Sequence, residues 1–266
     1  MNPLTLSGLY VYPIKSAGGV SLTTGQLDDR GLQHDRRWML VDNQNSFLTQ
    51  RKFPRMALIS VELAPESLVV RGPAMKDLEV PFRLKNPETL RVRVWDDVVE
   101  AHSAGDDASS WFSQFLGFPC NLVSMPEGAI RLVNPKYDQS QMSFADSFPL
   151  LLISEASLND LNSRLDTPVP MNRFRPNLVV RGCSPYEEDE WQGICIGAIA
   201  IQIGKPCSRC TVPTVDQSTG IQGKEPIGTL STYRSRDGKV YFGQNVIHLS
   251  KGTLTVGDHI ETISRR

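Results

Sequence analysis

The stretch Ala198-Ile-Ala-Ile-Gln-Ile-Gly-Lys-Pro-Cys-Ser-Arg-Cys-Thr-Val-Pro-Thr-Val-Asp216 decides how this chain is read. Its first six residues alternate in the manner of a strand, and Gly204 reads as a turn. Two thiols, Cys207 and Cys210, follow three residues apart with Arg209 between them. Thiolates are nucleophiles and soft metal ligands. A fixed cation beside them lowers a thiol pKa and also attracts anions. Pro213 and its β-branched neighbours oppose a helix after the pair, so a thioredoxin-type dithiol, which sits between strand and helix, is disfavoured. Structural zinc is disfavoured too, because there is no second Cys-x-x-Cys and the four histidines (His34, His102, His248 and His259) are scattered singly. Cys120, Cys183 and Cys195 read as inert core thiols. A single-thiolate metal site or a persulfide site is left as the sharper reading of the pair.

Outward from this stretch the pattern is mainly β with a few helices. Strands are expected over 6–12, 37–41, 46–50, 56–63, 67–71, 90–95, 98–101, 177–181, 195–203, 239–248 and 254–263, with hairpins at 42–45 and 65 and a turn at Asp96-Asp97. Helices are expected over 106–116, stopped by Gly117, from Ser154 through Leu165, and over 227–233. Many short strands at this spacing favour barrels. The polar, Pro-containing stretch 125–141 reads as a boundary or surface loop, dividing a smaller N-terminal β-barrel-like part (1–125) from a larger β-barrel-like part (126–266).

Forty per cent of the 266 residues are hydrophobic and 21% are charged, as in an ordinary soluble globular protein. A net charge of −1 offers no electrostatic reason to expect a nucleic-acid polymer or an anionic membrane as partner. No secretory signal or membrane-spanning run is apparent. Five cysteines in a chain too large to need disulfide staples suit a reducing compartment, so the expected location is cytoplasmic. Cationic and polar groups recur at strand ends: Lys15 and Ser16, Arg36, Arg51, Arg175 and Asn177. A barrel mouth collects ligand groups at such places. A solvated surface ion pair accounts equally well for any one of them, and spacing alone leaves their joint role open.

Tyr12-Pro-Ile-Lys-Ser16, the segment 31–41, Phe144-Ala-Asp146, Ser154-Glu-Ala-Ser157, Phe174-Arg-Pro-Asn177, Cys207-Ser-Arg-Cys210 and Phe242-Gly-Gln-Asn245 occur in an order that resembles the MOSC family with its N-terminal β-barrel partner. The likeness is to the bacterial YcbX-type proteins and the mitochondrial amidoxime-reducing component. That resemblance implies a molybdenum cofactor, a pterin dithiolene with a phosphate (the monophosphate form is the expected one), whose metal is also held by the thiolate matching Cys210. It implies that Lys15, Ser16, Arg36, Arg175 and Asn177 hold the pterin or phosphate, that Ser208 and Arg209 line the same pocket, and that Asp146 and Ser147 lie near the metal; Arg51, as a strand-end cation, is a further candidate for binding the cofactor. Phe148 departs from the hydroxyl found there in the mitochondrial proteins.

The implied activity is a detoxifying reduction of N-hydroxylated compounds (hydroxylamines, amidoximes or N-hydroxylated bases) to amines, using two electrons and two protons and releasing water. Many bacterial relatives carry a C-terminal ferredoxin-like domain. No cysteine follows Cys210 here, so no iron–sulfur cluster of that kind is expected in this chain. A separate flavoprotein or iron–sulfur protein is then the expected electron donor. The alternatives are a protein that stores or inserts the cofactor without turnover, and a carrier holding a persulfide on Cys210.

Overall fold

The structure, a computed structural model, describes residues 3–265. Strands are the predominant secondary structure, and α-helices among the described residues occur at Asp106–Leu116, Glu155–Asn162 and Ile227–Tyr233. The largest sheet runs in the order Ile260–Arg265, Trp191–Ile196, Ile199–Ser208, Lys239–His248, Leu150–Ser154, Leu178–Arg181, Thr5–Val11, Val20–Leu22. Its pairs are antiparallel except Leu150–Ser154 with Leu178–Arg181, which the helix Glu155–Asn162 connects, as parallel strands require a crossover. Ser154 caps that helix by accepting from the Ser157 N–H at 3.0 Å. Apolar side chains of this sheet, with Trp191 fully enclosed, form one core.

A second sheet carries Trp38–Val41, Asn121–Ser124, Asp97–Ser103 and Thr89–Val94 in that order. The helix Asp106–Leu116 packs Trp111, Phe112 and Phe115 into the core beneath it. Gly117 ends this helix in the left-handed region at φ 80°, as its sequence position suggests. The chain crosses between the sheets early: Thr5–Val11 joins the large sheet beside Leu178–Arg181, while Trp38–Val41 joins the second.

Several sequence expectations change. Trp38–Val41 takes Asn121–Ser124 as its strand partner; residues 46–50 carry the isolated bridges Val41–Phe47 and Ser46–Arg93 and form no strand. Pro54–Leu58 is a 3-10 turn leading into the strand Ser60–Leu63, because proline at its start favours helical φ. The segment 195–203 splits into two strands at Gly197, φ 55°. Residues 254–263 split at Gly257, φ 103°, into strands of different sheets. Helix 155–162 stops before Leu165. Gly204 is not a turn: it lies inside the ten-residue strand Ile199–Ser208, at an irregularity between Ile203 and Lys205.

Candidate functional site

One end of the large sheet gathers the strand termini that the sequence had marked. Lys15 and Ser16 follow Thr5–Val11, Asp146 and Ser147 precede Leu150–Ser154, Arg175 and Asn177 precede Leu178–Arg181, and Ser208 ends Ile199–Ser208. The pairings place the first three of these termini on the same side; Ile199–Ser208 runs parallel in sense to Leu150–Ser154 through their shared antiparallel neighbour, so Lys205 is level with the start of Leu150–Ser154 and Ser208 reaches the cleft from further along the sheet. The result is a cleft of about 970 Å³, counted out to its open mouth. Lys15, Ser16, Arg36, Arg51, Asp146, Ser147, Arg175, Asn177, Ser208, Arg209 and Cys210 all line it. Six cationic side chains and one carboxylate, Asp146, face this space, in a chain of nearly zero net charge.

Cys210 is exposed and free, and the backbone N–H of Val212 donates to its sulfur at 3.5 Å. Two irregularities in the pairing of Ile199–Ser208 with Lys239–His248, at 203–205 and 206–208, break the alternation just before the thiols. Such bulges re-aim side chains at site edges, which lets both Cys207 and Cys210 reach one cleft. Gly204 is required there by contact. A Cβ on it would lie 2.3 Å from the Phe148 ring, so the residue that departs from the family pattern packs against the strand backbone. Arg209 donates to the Cys207 sulfur at 3.1 Å and to the Phe174 carbonyl at 2.7 Å.

The cations differ in how they are satisfied. Lys15, buried, donates to the Phe144 carbonyl at 2.7 Å and to Asp146 at 2.5 Å. Burial pulls its pKa down against the opposing pull of Asp146. Asp146 is itself 61% exposed at its side chain. Desolvation pushes its pKa up, but the Lys15 charge and hydrogen bond, helped by Trp95 and Arg51, win and hold it below the usual carboxylate range. Arg36 donates to Asp35 at 2.6 Å and to Asn177 at 2.9 Å. Asn177 also accepts from the Leu151 N–H and donates to the Tyr10 carbonyl, so it ties three strand ends together and orients Arg36.

Arg175 and Arg209 keep unmet donors, the latter at its Nε. Arg175 is buried, donates from Nη1 to the Ala17 carbonyl at 2.6 Å, and its Nη2 has no partner. Burial lowers its pKa to about 10, which still leaves it charged at neutral pH. Both Arg36 and Arg175 stack on Tyr12, at 4.4 and 4.2 Å from the ring centre. Desolvation drives the Tyr12 phenol up to about 12, so it stays neutral between them.

Tyr12, Asp35 and Lys205 belong to this arrangement although the sequence reading assigned them no role. Asp35 accepts the Tyr12 N–H at 2.8 Å while holding Arg36; its place beside Arg36 in sequence was the available signal. Lys205 lines the cleft over the Tyr137 ring at 4.4 Å, and the irregular strand that turns it there leaves no trace in spacing. Among the other thiols, Cys120 is buried and Cys183 is half-buried; burial pushes both pKa values up to about 11, as fits inert thiols. Among the described residues no three His, Cys, Asp or Glu side chains converge as a metal set.

A β architecture with a cation-rich cleft beside a free thiol has the chemistry to accept an anionic group next to one sulfur. Comparison gives the family. The MOSC N-terminal beta barrel domain matches residues 3–119 and the MOSC domain matches residues 139–261. Mitochondrial amidoxime-reducing component 1 of Mus musculus is 35% identical over 96% of this chain and 81% of its own length. Mitochondrial amidoxime reducing component 2 of Bos taurus is 37% identical over 88% of this chain and 73% of its own. The molybdenum cofactor sulfurase of Oryza sativa subsp. japonica is 34% identical over the whole chain, which spans 35% of that larger protein. The chain belongs to the MOSC-domain family.

Proposed function

We propose that this protein is a molybdenum-cofactor-dependent reductase that converts N-hydroxylated compounds to amines. The observation that carries the reading is the shared cleft: an exposed, unpaired Cys210 thiol and a buried Arg175 whose Nη2 lacks a partner. A buried guanidinium with an unmet donor calls for an acceptor, preferably anionic. A phosphate and a dithiolene supply negative charge, and a thiolate suits a metal already bound by sulfur. The residues present therefore fit the group. Cys210 would ligate the metal, and Arg175, Arg36, Arg51 and Ser16 would hold the phosphate and pterin.

When bound, the cofactor supplies the two-electron redox chemistry. The chain's own residues do the rest. Asn177 and Asp35 fix the Arg36 fork, Tyr12 supports both guanidinium planes, and Phe148 closes one wall against Gly204. Lys15 and Asp146 form a hydrogen-bonded pair reaching from the enclosed floor to solvent. Lys15, whose charged form burial disfavours, is the member of that pair that can give a proton to the reacting oxygen atom, and Asp146 holds it in place.

The monophosphate cofactor, a separate flavoprotein or iron–sulfur donor and a cytoplasmic setting complete the proposal; five free cysteines favour a reducing compartment. No helix among the described residues is long and apolar enough to cross a membrane. The test is reduction of a model hydroxylamine by cofactor-loaded protein with reduced viologen dye. Full activity in Cys210→Ala would remove Cys210 from the proposal.

The likeness to a molybdenum cofactor sulfurase favours one other reading, in which Cys210 carries a persulfide. Mass spectrometry separates the two: a labile added sulfur on Cys210 supports the carrier, and bound molybdopterin supports the reductase. Bound molybdopterin with no turnover would instead leave a cofactor-binding protein.

A further inference from the structure

We propose that Trp95, with Arg51 stacked on it, forms a recognition platform at the cleft mouth that selects planar, π-rich N-hydroxylated substrates over small aliphatic ones. This rests on the reductase reading above. The other three tryptophans are 8% exposed or less, whereas Trp95 is 41% exposed. A single exposed apolar side chain is ordinary. This one is held in a defined pose by three contacts. Its indole N–H donates to Asp146 at 3.1 Å, the Arg51 guanidinium lies 4.4 Å from its ring centre, and the Phe47 ring sits 5.1 Å away.

The backbone contributes as well. Trp95 occupies the two-residue turn between Thr89–Val94 and Asp97–Ser103 with φ 57°, a conformation uncommon for a bulky residue. The hairpin thereby carries an indole across to the one carboxylate of the cleft. That Asp146 oxygen also holds Lys15, so rim and floor are linked through one atom. Anchoring the hairpin would need only the indole N–H, with the ring turned inward. Instead the ring stays open while its partner Arg51 lines the cleft.

An indole face and a guanidinium plane stack on flat, delocalised groups. Aryl amidoximes and N-hydroxylated bases present such a face next to the N–O bond, and aliphatic hydroxylamines do not. Reach and chemistry thus coincide at the mouth of the cleft.

The experiment compares benzamidoxime with acetamidoxime, which share the reacting group and differ in the ring. Cofactor-loaded protein should favour benzamidoxime by roughly tenfold in kcat/KM, the worth of a good aromatic contact. Benzamidoxime should also quench the fluorescence of Trp95, the one exposed indole. Trp95→Leu should lower kcat/KM for benzamidoxime roughly tenfold more than for acetamidoxime, with most of the difference in KM. Trp95→Phe, which keeps a ring and loses only the N–H to Asp146, should retain most of the preference. Equal losses for both substrates in Trp95→Leu, or no ring preference in the unaltered protein, overturn the proposal. Should neither compound be reduced, calorimetric binding of the two decides it. A ring preference that Trp95→Leu removes keeps the platform and rejects only the reductase.

Discussion

Arg175 and Glu188 are both buried charged residues, and the molecule treats them oppositely. Arg175 is 8% exposed in the cleft, with one backbone acceptor, a stacked ring and an unmet Nη2. Glu188 is fully buried between the helix Glu155–Asn162 and its surroundings. One of its oxygens accepts from the Ser157 hydroxyl at 2.7 Å and the Ser154 N–H at 3.1 Å. Burial pushes the Glu188 pKa up against its hydrogen bonds, which disfavours the charged form. Arg175, at about 10, cannot shed its charge at neutral pH. A carboxyl can adapt to an apolar site alone, and a guanidinium needs an anion brought to it. Each keeps one unmet atom, Glu188 Oε2 and Arg175 Nη2, but only the guanidinium must keep its charge at neutral pH.

The largest expected effect tests the binding side. Cys210→Ala should bring molybdenum content, measured by elemental analysis, to background, since Cys210 is the one exposed thiol in the cleft. Metal retained at the normal ratio would contradict it.

Arg175→Met should next divide binding from stability. Cofactor retention should fall at least about tenfold, the worth of one charged hydrogen bond. The cofactor-free protein should be no less stable and could gain about 1 kcal/mol, because an uncompensated buried charge is gone. A lower melting temperature of the cofactor-free variant would place Arg175 with the structural groups.

Glu188→Gln supplies the contrasting case. A carboxyl whose folded pKa lies above its unfolded value stabilises fully below the unfolded pKa, and that contribution is lost as pH rises through the folded one. Denaturation at about pH 5 should show a change within about 1 kcal/mol, with the variant gaining on the parent at about pH 9. Parallel curves would show that Glu188 is ionised throughout.

The smallest effect belongs to Asp146, whose folded pKa is depressed. Its contribution is present above the unfolded carboxylate pKa and is lost as pH falls through the folded value. Asp146→Asn should flatten the acid side of the stability curve slightly, since the carboxylate is largely solvated. Its activity should fall more than its stability, as Lys15 keeps an acceptor but loses the one carboxylate paired with it.

Much of this was legible in the chain. The alternation before the cysteines, the helix ending at Gly117 and the family order of short motifs led to β architecture and to the residues lining the cleft. Other features could not be read locally. The turn expected at Asp96-Asp97 falls instead at Trp95-Asp96, a shift of one residue that takes Trp95 out of the strand. Strand periodicity cannot resolve one residue at a turn. Trp38–Val41 pairs across eighty residues with Asn121–Ser124, while the nearer segment meets it only through the Val41–Phe47 bridge and the Leu48 N–H to the Leu40 carbonyl.

Sequence alone determined which chemical groups are available: a pair of thiols, a surplus of strand-end cations, and the alternation that makes strands. These are properties of neighbours along the chain. Which cations keep a free donor was decided only by the packed structure. Lys15 meets Asp146, and Arg36 meets Asp35 and Asn177, while the Nη2 of Arg175 meets nothing. Apart from the neighbouring Arg36 and Asp35, these pairings depend on distances of a few ångströms between segments more than a hundred residues apart, and only tertiary packing sets those distances.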